Sequence, residues 1–160
     1  MKKPKKAPGN ENEHKLVRKW GKLNMQAGFV GFPSAVIQFQ DQLGLSSTEF
    51  NVLVQLADHW WDPERHPYPS KGLIAKRTQM KPRSIQRIIA RLESRKLIER
   101  VARTYPQGGN KTNEYRLTGL ARAAERYSKE IIEKYDKRSR EKAQRSRRKP
   151  GLHLVPGPKK

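Results

Sequence analysis

Between Pro82 and Ser94 the chain reads PRSIQRIIARLES, and two chemistries are interleaved in it. At 100° per residue Ile85, Ile88, Ile89 and Leu92 gather on one side of a helix. Arg83, Gln86, Arg87, Ala90 and Ser94 then fall on the opposite side, with Arg91 at its edge. A guanidinium can bond guanine O6 and N7 together, and a carboxamide can do the same at adenine N6 and N7. Each good pair of this kind is worth about 1–3 kcal/mol of discrimination between bases. The small Ala90 would let such a helix lie close to base edges. An apolar stripe backed by arginine and glutamine is what a recognition helix requires. The same residues on an isolated helix would make an ordinary solvated face, so the neighbouring elements decide between the two.

Those neighbours begin at Ser46, which with Glu49 three residues on forms a capping box. The spacing predicts a helix over 47–61 that buries Phe50, Leu53, Val54, Leu56, Ala57 and Trp60. DPERHPYP (62–69) holds three prolines and must be a loop. Ser70 is placed to cap a second helix over 70–79, with Leu73, Ile74 and Thr78 inward. A tight break at Met80-Lys81-Pro82 follows, and proline suits the start of the third helix, 82–95. LIERVART (97–104) and TNEYRL (112–117) read as strands around the Gly108-Gly109 turn. Upstream, residues 1–15 read as a disordered arm, GFVGF (28–32) as a short strand, and AVIQFQDQL as a short helix that Gly44 ends. Downstream of Thr118-Gly119 a helix is expected over about 120–147, followed by a Pro/Gly tail.

Helix, helix, tight turn, helix and hairpin, in that order, make a winged helix-turn-helix: a mainly α fold with a small β-hairpin, in the α+β class. The expected division is a disordered basic arm (1–19), the DNA-binding domain (20–120), a basic C-terminal helix (121–147) and a flexible tail (148–160). Around the candidate base readers, Ser70, Lys71, Lys76 and Lys81 lie where phosphates are reached and register is set. The hairpin offers Arg103, Tyr105, Lys111 and Thr112 to the minor groove or the flanking backbone. Tyr105 is equally suited to packing the hairpin, and Asn113 and Tyr115 are expected to fix it.

The charge distribution supports a polyanionic partner. The 160 residues carry a net charge of +21, from 36 Lys/Arg against 15 Asp/Glu. Residues 71–103 hold eleven of the basic side chains against only Glu93 and Glu99, whereas residues 23–70 hold Arg65 against five acids. The two ends of the chain supply the remaining excess. Basicity clustered in this way is the footprint of nucleic-acid binding.

Other classes fall away. With no cysteine there is no disulfide framework, thiolate zinc site or cysteine nucleophile. No apolar run is long enough to span a membrane, and the basic start lacks the apolar segment of a secretory signal, so a cytoplasmic, nucleoid-associated location is expected. His59, Asp62, Glu64 and His66 fit no zinc spacing, and no phosphate-binding glycine loop or hydrolytic triad is present. No cofactor, metal, small-molecule substrate or enzymatic activity is called for. Few exposed aromatics are expected for base stacking, which disfavours a strand-coating protein. Leu120, Ala124, Tyr127, Ile131 and Tyr135 form a narrow seam. It can pair with a second copy in a homodimer or pack back onto its own domain.

Three further stretches carry a family resemblance: LSSTEFNVLVQLADHWW (45–61), YPSKGLIAKRTQMKPRSIQRIIARLESRKLIER (68–100) and GGNKTNEYRLTGL (108–120). Residues of about 20–120 resemble the winged helix-turn-helix family of phage, plasmid and integrative-element regulators and replication initiators. Its turn before the second helix corresponds to Tyr68-Pro69-Ser70. Its recognition-helix opening corresponds to Arg83-Ser84-Ile85-Gln86-Arg87, which adds Ser84 to the candidate DNA contacts, and its entry to the wing to Leu92-Glu93 and Leu97-Ile98. Lys96 stands where that family usually has glycine; it could take a left-handed backbone there at modest cost, and it adds charge toward DNA. The resemblance implies a sequence-specific double-stranded DNA-binding protein. The leading expectation is a transcriptional regulator of a mobile element. The alternative is a replication-initiation or partition protein at origin repeats.

Overall fold

The computed structural model describes residues 11–147. Along them run α1 (Glu11–Trp20), α2 (Lys22–Ala27), α3 (Ser34–Gln38), α4 (Ser47–Ala57), α5 (Lys71–Thr78), α6 (Pro82–Ser94), β1 (Glu99–Val101), β2 (Glu114–Arg116) and α7 (Thr118–Arg147). The order of α4, α5, α6 and the β1–β2 hairpin is that of a winged helix-turn-helix.

Local chemistry sets where the three central helices begin. The Glu49 N–H donates to the Ser46 hydroxyl at 3.3 Å, and the Glu49 carboxylate accepts the Ser46 N–H at 2.9 Å, closing the capping box of α4. The Ser70 hydroxyl accepts the Leu73 N–H at 3.0 Å and so starts α5. Pro82 occupies the first turn of α6, where a missing N–H costs nothing. Each cap typically contributes about 1 kcal/mol.

The core is where these helices converge. Ile85, Ile88, Ile89 and Leu92 of α6 are all buried, together with Val52, Leu53 and Leu56 of α4 and Ile74 and Ala75 of α5. The α6 stripe packs against both neighbours at once. Burial of each such aliphatic side chain is worth about 1.5–3 kcal/mol.

Two left-handed residues make the corners. Gln79 (φ 54°) ends α5, and the Met80 N–H reaches back to the Ala75 carbonyl at 3.0 Å, giving the tight turn into α6. Lys96 (φ 56°) ends α6 in the same manner, with the Leu97 N–H on the Leu92 carbonyl at 3.0 Å. The lysine in the place of glycine thus adopts the left-handed conformation. Where α7 begins, the Leu120 N–H donates to the Leu97 carbonyl at 2.7 Å. A Cβ on Gly119 would stand 2.0 Å from the Lys96 carbonyl oxygen, so only glycine admits this contact.

The hairpin pairs antiparallel with Glu99 opposite Arg116, Arg100 opposite Tyr115 and Val101 opposite Glu114. Further out Thr104 faces Asn110. Two residues separate Val101 from Thr104 and three separate Asn110 from Glu114, so the returning strand bulges by one residue. Tyr115 is buried and its N–H donates to the Pro67 carbonyl at 2.8 Å, which ties the hairpin to the loop before α5.

Several expectations are corrected. The arm foreseen over 1–19 is helical from Glu11 as α1, where Leu16 and Val17 are half-buried and α2 packs alongside. Arg18 and Lys19 in its last turn suit the negative end of the helix dipole. Residues 1–10 and the tail 148–160 lie outside the described residues.

The 28–32 segment forms no strand, for nothing pairs with it. Gly28 sits at φ 116° beneath Trp61, and Phe32 packs edge-on against Phe50 at 5.4 Å between ring centres. The helix expected over 35–43 stops at Gln38, and turns carry the chain to Gly44 (φ 62°). The α4 helix stops at Ala57 rather than 61, because His59 and Trp60 turn back onto the carbonyls of Leu56 and Ala57, three residues behind each. Its inward face is Glu49, Val52, Leu53 and Leu56, with Phe50, Val54, Ala57 and Trp60 only half-buried. Both strands shrink to three residues beside the bulge. In α5 it is Ala75, beside Ile74, that is buried, while Leu73 and Thr78 are only half-buried.

The seam on α7 packs back onto its own domain. Leu120, Ala124 and Tyr127 are buried, α7 runs against α3, and Tyr127 stacks on Phe39 at 4.8 Å. Ile131 is half-buried and Tyr135 is exposed. Among the described residues no helix is long and apolar enough to cross a membrane.

Candidate nucleic-acid interface

Burying the isoleucine stripe of α6 forces its other side outward, and Arg83, Gln86, Arg87 and Ala90 are all exposed. Lys71 at the start of α5 reaches the same surface, its Nζ 3.5 Å from Oε1 of Gln86. Lys71, Pro82, Arg83, Gln86 and Arg87 line one open cleft. Three of its five residues are cationic.

The ion pairs divide the basic side chains of this region. Arg91 Nε lies 3.1 Å from Glu49 Oε1, and Arg95 NH1 lies 3.5 Å from Glu49 Oε2. Arg95 also donates to the Leu43 carbonyl. Arg77 meets Asp58 at 2.7 Å, and Arg100 meets Glu93 at 3.0 Å. Among the described residues neither Arg83 nor Arg87 lies within 4.0 Å of a carboxylate. Their charge faces outward uncompensated, as an anion-binding surface requires.

The remaining candidates are spread around this face. Lys76 and Lys81 are exposed, on α5 and in the turn between the helices, and Ser84 is half-buried in the first turn of α6. The Ser70 hydroxyl is already occupied by the Leu73 N–H. On the hairpin the Arg103 guanidinium lies 4.4 Å from the Tyr68 ring centre, and the Lys111 ammonium 4.5 Å from that of Tyr105. Thr112 is exposed at the bulge. Arg91 stands apart from Arg83 and Arg87, since its guanidinium is bonded back toward α4.

Two features here were not read from the sequence. Glu49 was legible as a cap, yet it is 4% exposed and holds two arginines of the α6 end as well. Burial pushes its carboxyl pKa up, but hydrogen bonds from the Ser46 backbone and hydroxyl and from Arg91 outweigh this, and the net shift is downward. Tyr68 entered only as part of a turn; the cation over its ring is a tertiary contact. Elsewhere, burial and the neighbouring Arg77 lower the His59 pKa, with Asp58 opposing them. Burial raises that of Tyr115. His59, Asp62, Glu64 and His66 are not grouped as metal ligands in the described structure.

Residues 43–98 match the helix-turn-helix domain family. The matched span runs from the turn before α4 through α6 to the threshold of β1. Because the β1–β2 hairpin follows directly, this helix-turn-helix DNA-binding domain is of the winged form. Three solved structures are similar to the chain. The N-terminal domain of DnaD protein from Geobacillus kaustophilus HTA426 has a TM-score of 0.48 at 17% identity, covering 79% of this chain and 96% of that one. A point mutant of MepR from S. aureus has a TM-score of 0.42 at 18% identity, covering 84% and 93%. YusO protein from Bacillus subtilis has a TM-score of 0.41 at 17% identity, covering 88% and 100%. No curated protein matches the chain significantly.

Proposed function

We propose that the protein reads double-stranded DNA by sequence, with α6 in the major groove. The observation that carries this reading is the exposed Arg83–Gln86–Arg87 face, free of carboxylate partners in the described structure and set opposite a fully buried isoleucine stripe. Arg83, Gln86 and Arg87 contact base edges, and Ala90 permits close approach. Lys71, Lys76, Lys81, Ser84 and the first turn of α5 at Ser70 meet phosphates, which fix register without carrying sequence information. Arg103, Tyr105, Lys111 and Thr112 of the hairpin reach the flanking backbone or minor groove. Arg91 serves mainly to hold α6, through Glu49.

The finer reading is a transcriptional regulator of a mobile genetic element, acting in the cytoplasm on the nucleoid. Its support is the resemblance of the 68–100 motifs to the regulators named above. Homodimerisation through α7 belongs to the same reading, and its support is that Ile132 and Tyr135 remain exposed beyond the packed part of the helix. A chromatin-enrichment map of bound sites tests the whole. One or a few sites beside promoters are expected. Iterated repeats at an origin would replace regulation with replication initiation, and uniform occupancy would overturn sequence reading itself.

A further inference from the structure

The outer part of the hairpin carries a strip that base reading by α6 does not use. Beside the Thr104–Asn110 bridge, the Lys111 N–H donates to the Arg103 carbonyl at 2.9 Å and the Tyr105 N–H to the Gly109 carbonyl at 3.0 Å. Side chains alternate along each strand and paired residues share a face, so Arg103, Tyr105 and Lys111 lie together while Thr104 and Asn110 point the other way. With Tyr68 under Arg103 the strip reads ring, cation, cation, ring. The rings are 55% exposed at Tyr68 and 49% exposed at Tyr105. Neither cation has a carboxylate within 4.0 Å among the described residues. Surfaces that hold single strands combine these two parts, cations that follow the phosphates and open rings on which bases stack. The strip also adjoins the duplex-reading face. Tyr68 stands two residues before the α5 cap Ser70, and the next residue, Lys71, reaches Gln86 of α6.

We propose that, where the duplex contacted by α6 ends, Tyr68, Arg103, Lys111 and Tyr105 form a site for the unpaired bases of the departing strand, in place of the flanking backbone or minor groove that the hairpin residues meet on continuous duplex. The rings stack the bases and the two cations offset the phosphates. This inference rests on the duplex-DNA reading above. It gives the protein a preference for junctions between paired and unpaired DNA.

The experiment is fluorescence anisotropy with the full chain on three probes: a blunt duplex of about 20 base pairs carrying the sequence that binding-site selection returns, the same duplex with an overhang of about ten thymidines, and the same duplex with an overhang of about ten abasic residues. The abasic overhang keeps the phosphates and removes the bases. The thymidine overhang is expected to bind about tenfold more tightly than the abasic one, in line with base–aromatic stacking. Tyr68→Ala with Tyr105→Ala should erase that ratio, and Tyr68→Phe with Tyr105→Phe should keep it. Arg83→Ala with Arg87→Ala should weaken all three probes and leave the ratio intact. Equal binding of the two overhangs, or a ratio unchanged by the alanine pair, overturns the site while leaving duplex reading standing. Weak binding of all three probes by the unaltered protein overturns the duplex reading and this inference with it.

Discussion

Arg91 donates from Nε to Oε1 of Glu49 across 3.1 Å, and this pair separates the arginines of α6 into two kinds. Arg91 joins the C-terminal half of the helix to the capping box of α4. Arg83 and Arg87, one to two turns earlier, face solvent with no such tie. A single helix thereby carries both its binding surface and its anchor.

Substitution separates the two kinds. Arg87→Ala should weaken binding to the preferred site by about 1–3 kcal/mol and relax selection at one base pair. Its melting temperature should hold, because surface changes away from caps and core stay within about 0.5 kcal/mol. Arg91→Ala should instead cost about 1 kcal/mol of stability through the lost charged hydrogen bond, with base preference retained. Thermal melting and binding-site selection on both variants check this; an early-melting Arg87→Ala would show that the helix face is assigned wrongly.

The Glu49 carboxylate gives the fold an acid-side sensitivity. Its folded pKa is depressed, so its stabilisation is fully present above the ordinary carboxylate range and is lost as pH falls through the folded value. Glu49→Gln should therefore be less stable than the unaltered protein by about 1–2 kcal/mol near neutrality. The gap should narrow as pH falls through the ordinary carboxylate range and close only below the depressed folded value, where both side chains are uncharged. Urea titrations across this range decide it, and a gap that widened toward acid would contradict the ion-pair geometry.

At the core, Ile88→Ala should destabilise the protein by about 2–5 kcal/mol, the lost burial plus the cavity left behind. DNA binding should fall only in proportion to unfolding. Calorimetry on the variant, with binding measured well below its transition, distinguishes this from a direct contact.

Gly119→Ala tests the junction of the wing and α7. The new methyl would meet the Lys96 carbonyl oxygen at 2.0 Å, in backbone that cannot step aside cheaply. A loss of about 1–3 kcal/mol is expected. An unaffected melting temperature would mean that α7 can start without its contact to Leu97.

Salt provides the last check. Six to ten phosphate contacts would cost roughly 10³–10⁵ in affinity between 50 and 200 mM salt. A flat titration would remove the electrostatic basis of the interface.

The sequence alone determined the α6 stripe, the caps at Ser46 and Ser70 and Pro82 at a helix start. These depend on residues one to four positions apart, where periodicity and hydrogen-bond reach are local. It likewise defined the exposed Arg83–Gln86–Arg87 face, since burying one side of a helix exposes the other. Only the tertiary structure decided which arginine is tied down, because Glu49 and Arg91 are 42 residues apart in the chain. The same holds for Tyr68 beneath Arg103, for Tyr115 bonded to Pro67 and for the stacking of Tyr127 on Phe39, which turned the apolar seam of α7 inward. Segment 28–32 failed as a strand for the same reason. Its residues suit an extended chain, but a strand needs a partner, and whether one lies alongside is settled by the packing of the whole domain.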